Sequence, residues 1–286
     1  MLIDLHTHTT ASDGEYTPKE IIDYAVQRGL SAIAVTDHET INGLDSAIKS
    51  SKDKNIEFVP GIELGSRAPE IGLDDVHIVG LFIDPESEVM KNVSVELRQN
   101  RIVQKEKIIE KLNSLGYEIT FEELDKEASG GSYGRPHIAH ILMRKYPNEF
   151  SDTTSVFKKL LSADAKAYVP QKRLSIKEAI ESIHQAKGIA ILAHPALCFE
   201  KDLLVINRFI ECGGDGIEVN YGYKGHEGWT QKDEDYFIKK YRKIAHDNDL
   251  LISGGTDFHS LPEFPEVGIN GVTKDEFEKL KRAARR

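Results

Sequence analysis

Cysteine is nearly absent from this 286-residue chain, which carries only Cys198 and Cys212. Two such residues exclude a disulfide framework, and their spacing is not that of a zinc-binding pair. No apolar run approaches the length needed to cross a bilayer, and the N-terminus lacks the basic-then-apolar pattern of a secretory signal. The sequence therefore predicts a cytoplasmic protein with no membrane partner. Positive charge is also in deficit: 37 Lys and Arg face 47 Asp and Glu, a formal net charge of -10. That balance speaks against a broad basic surface holding long nucleic acid. It leaves a phosphate substrate open, because bound cations reverse the sign locally. The basic C-terminal "KRAARR" reads as a solvated helix end. No dinucleotide glycine fingerprint follows the first strand, and neither a serine elbow nor an internal repeat is found. Nothing in the chain signals an obligate protein partner.

What is present is an alternation of strands and helices. Strand-like runs occur at 2–6, 31–36, 56–64, 76–83, 189–194, 216–221 and 250–255. Helix starts between them are explicit. In "TPKE", Thr17 is an N-cap, Pro18 takes the first helical position and Glu20 completes a capping box, with Gly29 closing the helix. Ser175 and Glu178 repeat the device in a helix ending at Gly188, and a third helix runs from about Thr230 to Asn248. The pattern predicts an α/β protein with a largely parallel sheet. Seven strands fit a closed or nearly closed barrel better than a doubly wound sheet. The alternation breaks between 97 and 167, which reads as helices at 97–115, 121–128, 136–146 and 153–162. The expected organisation is a barrel of residues 1–96 and 168–286 interrupted by a helical insertion, 97–167.

Ligand-type side chains gather at the downstream ends of the strands. The first strand ends in His6 and His8, with Asp13 in the loop beyond; the second ends in Asp37 and His38, the third in Glu63, the fifth in His194. The seventh leads through two glycines to Asp257 and His259. Each alone has a plain explanation as a helix cap or a packed hydrogen-bonding group. Five strands ending this way are harder to ascribe to capping, since downstream strand ends share one rim of such a barrel. Imidazole and carboxylate donors without thiolate suit Zn²⁺, Mn²⁺ or Fe²⁺. His77 does not fit this pattern, because it lies near the beginning of the fourth strand. His184 and His246 fall on helices as surface or packing residues, and His226 in "YGYKGHEGW" has no assigned role.

"DLHTHTTASDGEYTP", "VTDHETINGL", "GIELGS", "VHIVGL", "ILAHP" and "SGGTDFH" resemble, in order, the motifs of the polymerase and histidinol phosphatase (PHP) superfamily. "GRPHIA" and "AYVPQKRLSIKEAI" are similar to its stand-alone phosphoesterases with a helical insertion. Those include nucleoside 3′,5′-bisphosphate phosphatases and ribonuclease AM-type enzymes, which trim short RNA from the 5′ end. The resemblance implies a distorted (β/α)7 barrel holding two or three divalent ions. Carried over by motif, His6, His8, Glu63 and Asp257 would hold the first; Glu63, His77 and His194 the second; Asp13, His38 and His259 the third. Asp37 would orient an imidazole from behind. Two places depart from the family pattern: His140 stands where a basic or amide residue is expected after "RPHIA", and the loop "NYGYKGHEGW" matches no motif.

Three divalent ions against the three carboxylates of Asp13, Glu63 and Asp257 would leave an excess of positive charge suited to a phosphate dianion. The reading is a metal-dependent phosphoesterase that attacks with activated water and acts on a small nucleotide or short oligonucleotide. No general acid stands out; Asp37 and His194 are the candidates. Pro136 at the start of a helix places Arg135 and His137 in its first turn, where free backbone amides favour an anion and where a second substrate phosphate would be gripped. The bland alternative is that Arg135 pairs with a surface carboxylate and His137 packs. Two other functions compete. One is hydrolysis of histidinol phosphate, or of an amide, although the metal-bridging lysine of amidohydrolase barrels is not found. The other is a non-catalytic metal-binding scaffold, which all nine filled ligand positions disfavour.

Overall fold

Helix α1 (Pro18–Gln27) shows how local sequence sets the frame. Thr17 accepts from the Glu20 N–H while the Glu20 carboxylate takes the Thr17 N–H, and Ile21, Ile22 and Ala25 form the buried face. This computed structural model describes residues 2–128, 133–163, 165–226, 228–261 and 266–285. Residues 129–132 and 164 of the expected insertion, and Glu227 in the loop after the sixth expected strand, lie outside the described residues. The chain divides into two compact units, residues 1–94 with 174–286, and residues 95–173.

The first unit is built on an eight-stranded sheet. Its strands are β1 (Leu2–Asp4), β2 (Leu30–Val35), β3 (Glu57–Ala68), β4 (Leu73–Leu81), β5 (Leu174–Ser175), β6 (Ile189–Leu192), β7 (Gly216–Asn220) and β8 (Leu251–Gly254). All seven expected strands are present, and the two-residue β5, which pairs with β3, is the addition. The path runs β1-β2-β3-β4-β6-β7-β8. The first three strands are mutually parallel, as are β6, β7 and β8. Against expectation, β4 runs antiparallel to both of its neighbours. The turn between β3 and β4, with Gly72 at φ 69, is too short for a helical crossover, so the chain returns as a hairpin.

Among the described residues no ladder joins β1 to β8. The two meet instead through Leu5 N–H to the Gly254 carbonyl (3.2 Å) and, further on, a parallel bridge between Thr7 and Phe258. The Ile3 carbonyl, which a continuous ladder would use, accepts from Val272 N–H. Asp4 ties the same seam together. Its buried carboxylate accepts from Thr256 Oγ1 (2.7 Å) and from the backbone N–H groups of Thr256 (3.1 Å), Gly268 (2.8 Å) and His6 (3.2 Å). The first and last strands thus approach without a ladder, and the sheet's core is built from alternate residues such as Ile3, Ala32, Ala34, Val59, Val79, Leu81 and Ile191.

Around it stand α2 (Leu44–Ser51), α7 (Ile176–Gln185), α8 (Asp202–Glu211), α9 (Gln231–Asp247) and α10 (Lys274–Ala284). Capping boxes start α7 at Ser175, α9 at Thr230 and α10 at Thr273. Helix α3 (Glu88–Ser114) begins well before the expected residue 97, because the Ser87 hydroxyl accepts from Met90 N–H. The second unit holds α4 (Phe121–Glu127), α5 (Arg135–Lys145) and α6 (Thr153–Val156), the last continuing as a π turn over Phe157–Leu161. Leu112, Leu124, Ile138, Leu142 and Leu160 are among the residues of its own core.

Gly255, just beyond β8, lies so close to the chain after β1 that an added Cβ would sit 2.4 Å from the His6 Cβ and 2.5 Å from its nitrogen. Gly255→Ala should cost about 1–3 kcal/mol through overpacking. Thermal unfolding of the purified variant checks this, with a fall in melting temperature of several degrees expected.

Candidate metal centre

The nine candidate ligands arrive from β1, β2, β3, β4, β6 and β8 or the loops that follow them. His6, His8 and Asp13 follow β1, His38 follows β2, Glu63 lies within β3, His194 follows β6, and Asp257 and His259 follow β8. The reversed β4 accounts for His77. Its register places His77 opposite Gly65 and Val79 opposite Glu63, so the beginning of β4 lies beside the downstream half of β3. His77 Nδ1 is 2.9 Å from Glu63 Oε1.

The structure brings these side chains into linked groups. His6, His8, Glu63 and Asp257 offer four atoms around one point, while His8, Asp13, His38 and His259 form a second set and His38, Glu63 and His77 a third. His194 Nε2 joins at 3.2 Å from Glu63 Oε1. In the first set His6 Nε2 is 3.4 Å from Glu63 Oε2 and 3.3 Å from Asp257 Oδ1, and His8 Nε2 is 3.3 and 3.0 Å from the same oxygens. All four atoms are buried without a hydrogen-bond partner. Orphaned buried polar atoms are costly, and four that converge fit a cation between them. The all-nitrogen-and-oxygen donor set suits a borderline or hard divalent ion. Backbone strain marks two of the nine: His194 (φ 27) and Asp257 (φ 53) occupy the left-handed region that side chains rarely adopt.

Several supporting residues gave no motif in the sequence. Glu218 on β7 sits 3.0 Å from His6 Nδ1 and accepts the His194 N–H at 2.8 Å. Its one visible signal was a carboxylate inside the apolar run "GIEVN". Tyr221 donates to Asp257 Oδ2 at 3.0 Å and lies 3.1 Å from His226 Nε2, which connects the unmatched loop to the centre. Asp75 lies 2.9 Å from His77 Nε2. Asp37 departs from its expected place behind an imidazole. It accepts from Thr9 N–H, Thr9 Oγ1 and Ser12 Oγ at 2.6–2.7 Å, fixing the loop that carries Asp13. Ser12 in turn reaches His8 Nδ1 only at 3.5 Å.

Arg135 and His137 belong to the second unit. An Arg135 guanidinium N–H donates to the Leu161 carbonyl (3.2 Å), and the group stacks over Phe157 and Tyr168. His137 Nδ1 accepts the Gly134 N–H, closing the first turn of α5. His140 Nδ1 is 3.5 Å from Glu127.

Burial opposes charge throughout the cluster, but the partners prevail on most groups. Burial alone would raise Glu63, yet His38, His77 and His6 hold its carboxyl well below the usual range, and His38 and His259 do the same for Asp13. Burial would lower His8 and His77; the Asp257 and Glu63 carboxylates push the first up to about 10, and Glu63 with Asp75 pushes the second equally far. His38 moves the other way, lowered mainly by burial. An imidazole with a raised value holds its proton through neutral pH and yields it only as pH climbs towards that value. A metal ion needs those nitrogens unprotonated, so binding must expel protons and affinity should rise from pH 6 to 9. Calorimetric titration with Mn²⁺ in two buffers of different ionisation enthalpy measures the release, and zero protons released at pH 7 would contradict it.

This geometry defines a class: an α/β fold whose strand ends carry converging groups of His, Asp and Glu able to hold metal. The "PHP domain" family model matches residues 4–195. The chain is 33% identical over 93% of its length, and 93% of the relative's, to the "5′-3′ exoribonuclease" of Haemophilus influenzae. It is 30% identical to the "3′,5′-nucleoside bisphosphate phosphatase" of Chromobacterium violaceum, over 91% and 88% of the two chains. A solved structure from Bifidobacterium adolescentis, provisionally described as a metal-dependent phosphoesterase, superposes with a TM-score of 0.79 at 27% identity, covering 98% of this chain and 96% of that one. The chain belongs to the PHP domain family and to its metal-dependent hydrolases of phosphate esters. No described helix is long and apolar enough to cross a membrane.

Proposed function

We propose that this protein removes the 3′-phosphate of a nucleoside 3′,5′-bisphosphate, leaving the 5′-monophosphate, and trims short RNA from its 5′ end. The observation that carries the reading is the convergence of the orphaned atoms of His6, His8, Glu63 and Asp257 in a chain similar to enzymes with those two names. Two or three Mn²⁺, Zn²⁺ or Fe²⁺ ions, held by His6, His8, Glu63 and Asp257, by Glu63, His77 and His194, and by Asp13, His38 and His259, would supply Lewis acidity and an activated water.

The chain's own residues do the rest. Three carboxylates held ionised keep the site able to take up cations across a wide pH range. Glu218 and Tyr221 hold His6 and Asp257 in orientation from behind. Asp37, with three donors on its two oxygens, serves by fixing the Thr9–Ser12 loop rather than by giving up a proton. His194, beside Glu63, is both a ligand and a candidate for proton transfer. In the first turn of α5, Arg135 and His137 contribute to recognition of a second substrate phosphate, aided by the helix N-terminus.

The test is phosphate release from adenosine 3′,5′-bisphosphate by Mn²⁺-loaded protein, with 5′-AMP, histidinol phosphate and a chelator in parallel. Metal-dependent release from the bisphosphate but not from 5′-AMP is expected; release from histidinol phosphate alone would overturn the proposal. Arg135→Ala should lower kcat/KM on the bisphosphate at least tenfold more than on an aryl phosphate. The ratio between substrates separates lost recognition from lost packing around Leu161. Equal losses would remove Arg135 from substrate recognition.

A further inference from the structure

Strand β7 supplies none of the nine candidate ligands, yet its Glu218 touches two of them. The side chain is buried, 2% exposed, in the middle of an apolar strand. One oxygen lies 3.0 Å from His6 Nδ1, and the other accepts the His194 backbone N–H at 2.8 Å. An ionised carboxylate only accepts, so both partners must donate to it. His6 then carries a proton on Nδ1, which leaves its Nε2, directed at the other orphaned atoms of the first set, as the atom open to a cation. The second contact holds a backbone at φ 27, ψ 58, a conformation that persists only where its surroundings enforce it.

We propose that Glu218 is a positioning residue that sets the tautomer of His6 and the backbone of His194, and so joins the parts of the metal centre borne on β1 and β6. The inference rests on reading these residues as a metal centre and is independent of the substrate. Glutamine in its place would present one acceptor and one donor to two donors. Either the His194 N–H would then face an amide N–H, or His6 would have to shift its proton to Nε2 and cease to be a ligand.

Glu218→Gln should therefore bind Mn²⁺ about 10- to 100-fold more weakly, the usual effect of removing a group that orients a ligand. Free Mn²⁺ counted by electron paramagnetic resonance during titration reads this without any assay of activity. Long-range ¹H–¹⁵N correlation spectra of the zinc-loaded native protein provide a test that needs no variant, and should show His6 protonated at Nδ1. A native His6 protonated at Nε2, or a folded Glu218→Gln protein that binds Mn²⁺ as the native one does, would overturn this inference alone. A native protein that binds neither Mn²⁺ nor Zn²⁺ would overturn the metal centre with it.

Discussion

Glu63 is fully buried, and five imidazoles approach its two oxygens: those of His38 and His77 at 2.9 Å, His194 at 3.2 Å, His8 at 3.3 Å and His6 at 3.4 Å. A carboxylate so placed is tolerated only when compensating charge surrounds it. Surrounding it with imidazoles requires side chains from β1, β2, β4 and β6 to reach a residue in the middle of β3. The reversed direction of β4, the bridge between His38 and Glu63, and the strained turn at His194 all serve this one demand. Removing Glu63 would leave several imidazoles without their common partner, while removing any one imidazole leaves the others in place.

Most of what is local was legible in the sequence. The caps at Thr17 and Ser175 were readable because both halves of each box lie within four residues, and each forms as expected. Eight of the nine candidate ligands were visible as polar endings to apolar runs. His77 resisted because strand direction is decided by the pairing partner, and nothing inside "VHIVGL" states that β4 will fold back on β3. The early start of α3 was missed because Ser87 is an unremarkable serine until its hydroxyl is seen on Met90.

The supporting residues were the least legible. Glu218 was detectable only as an oddity, a charge within an apolar strand, and its partners His6 and His194 are remote in the chain. Tyr221 and His226 lie in a loop matching no motif, and their connection to Asp257 exists only in the fold. Asp37 is the reverse case. Its neighbour His38 suggested service to an imidazole, whereas short side chains in the preceding loop, Thr9 and Ser12, claim both its oxygens. A carboxylate's partners are chosen by three-dimensional proximity, and a neighbour in sequence on a strand points to the opposite face.

The irregular closure between β1 and β8 has a consequence for how the chain is held together. Where an ordinary barrel stitches its first and last strands with a ladder, this one has a few backbone bonds, the Asp4 knot and the facing groups of His6, His8 and Asp257. An ion gripped by those three side chains would clasp the beginning of the chain to its far end, closing a loop of some 250 residues much as a covalent staple does. The same atoms that would hold the ion would thus also fasten the seam between the first and last strands.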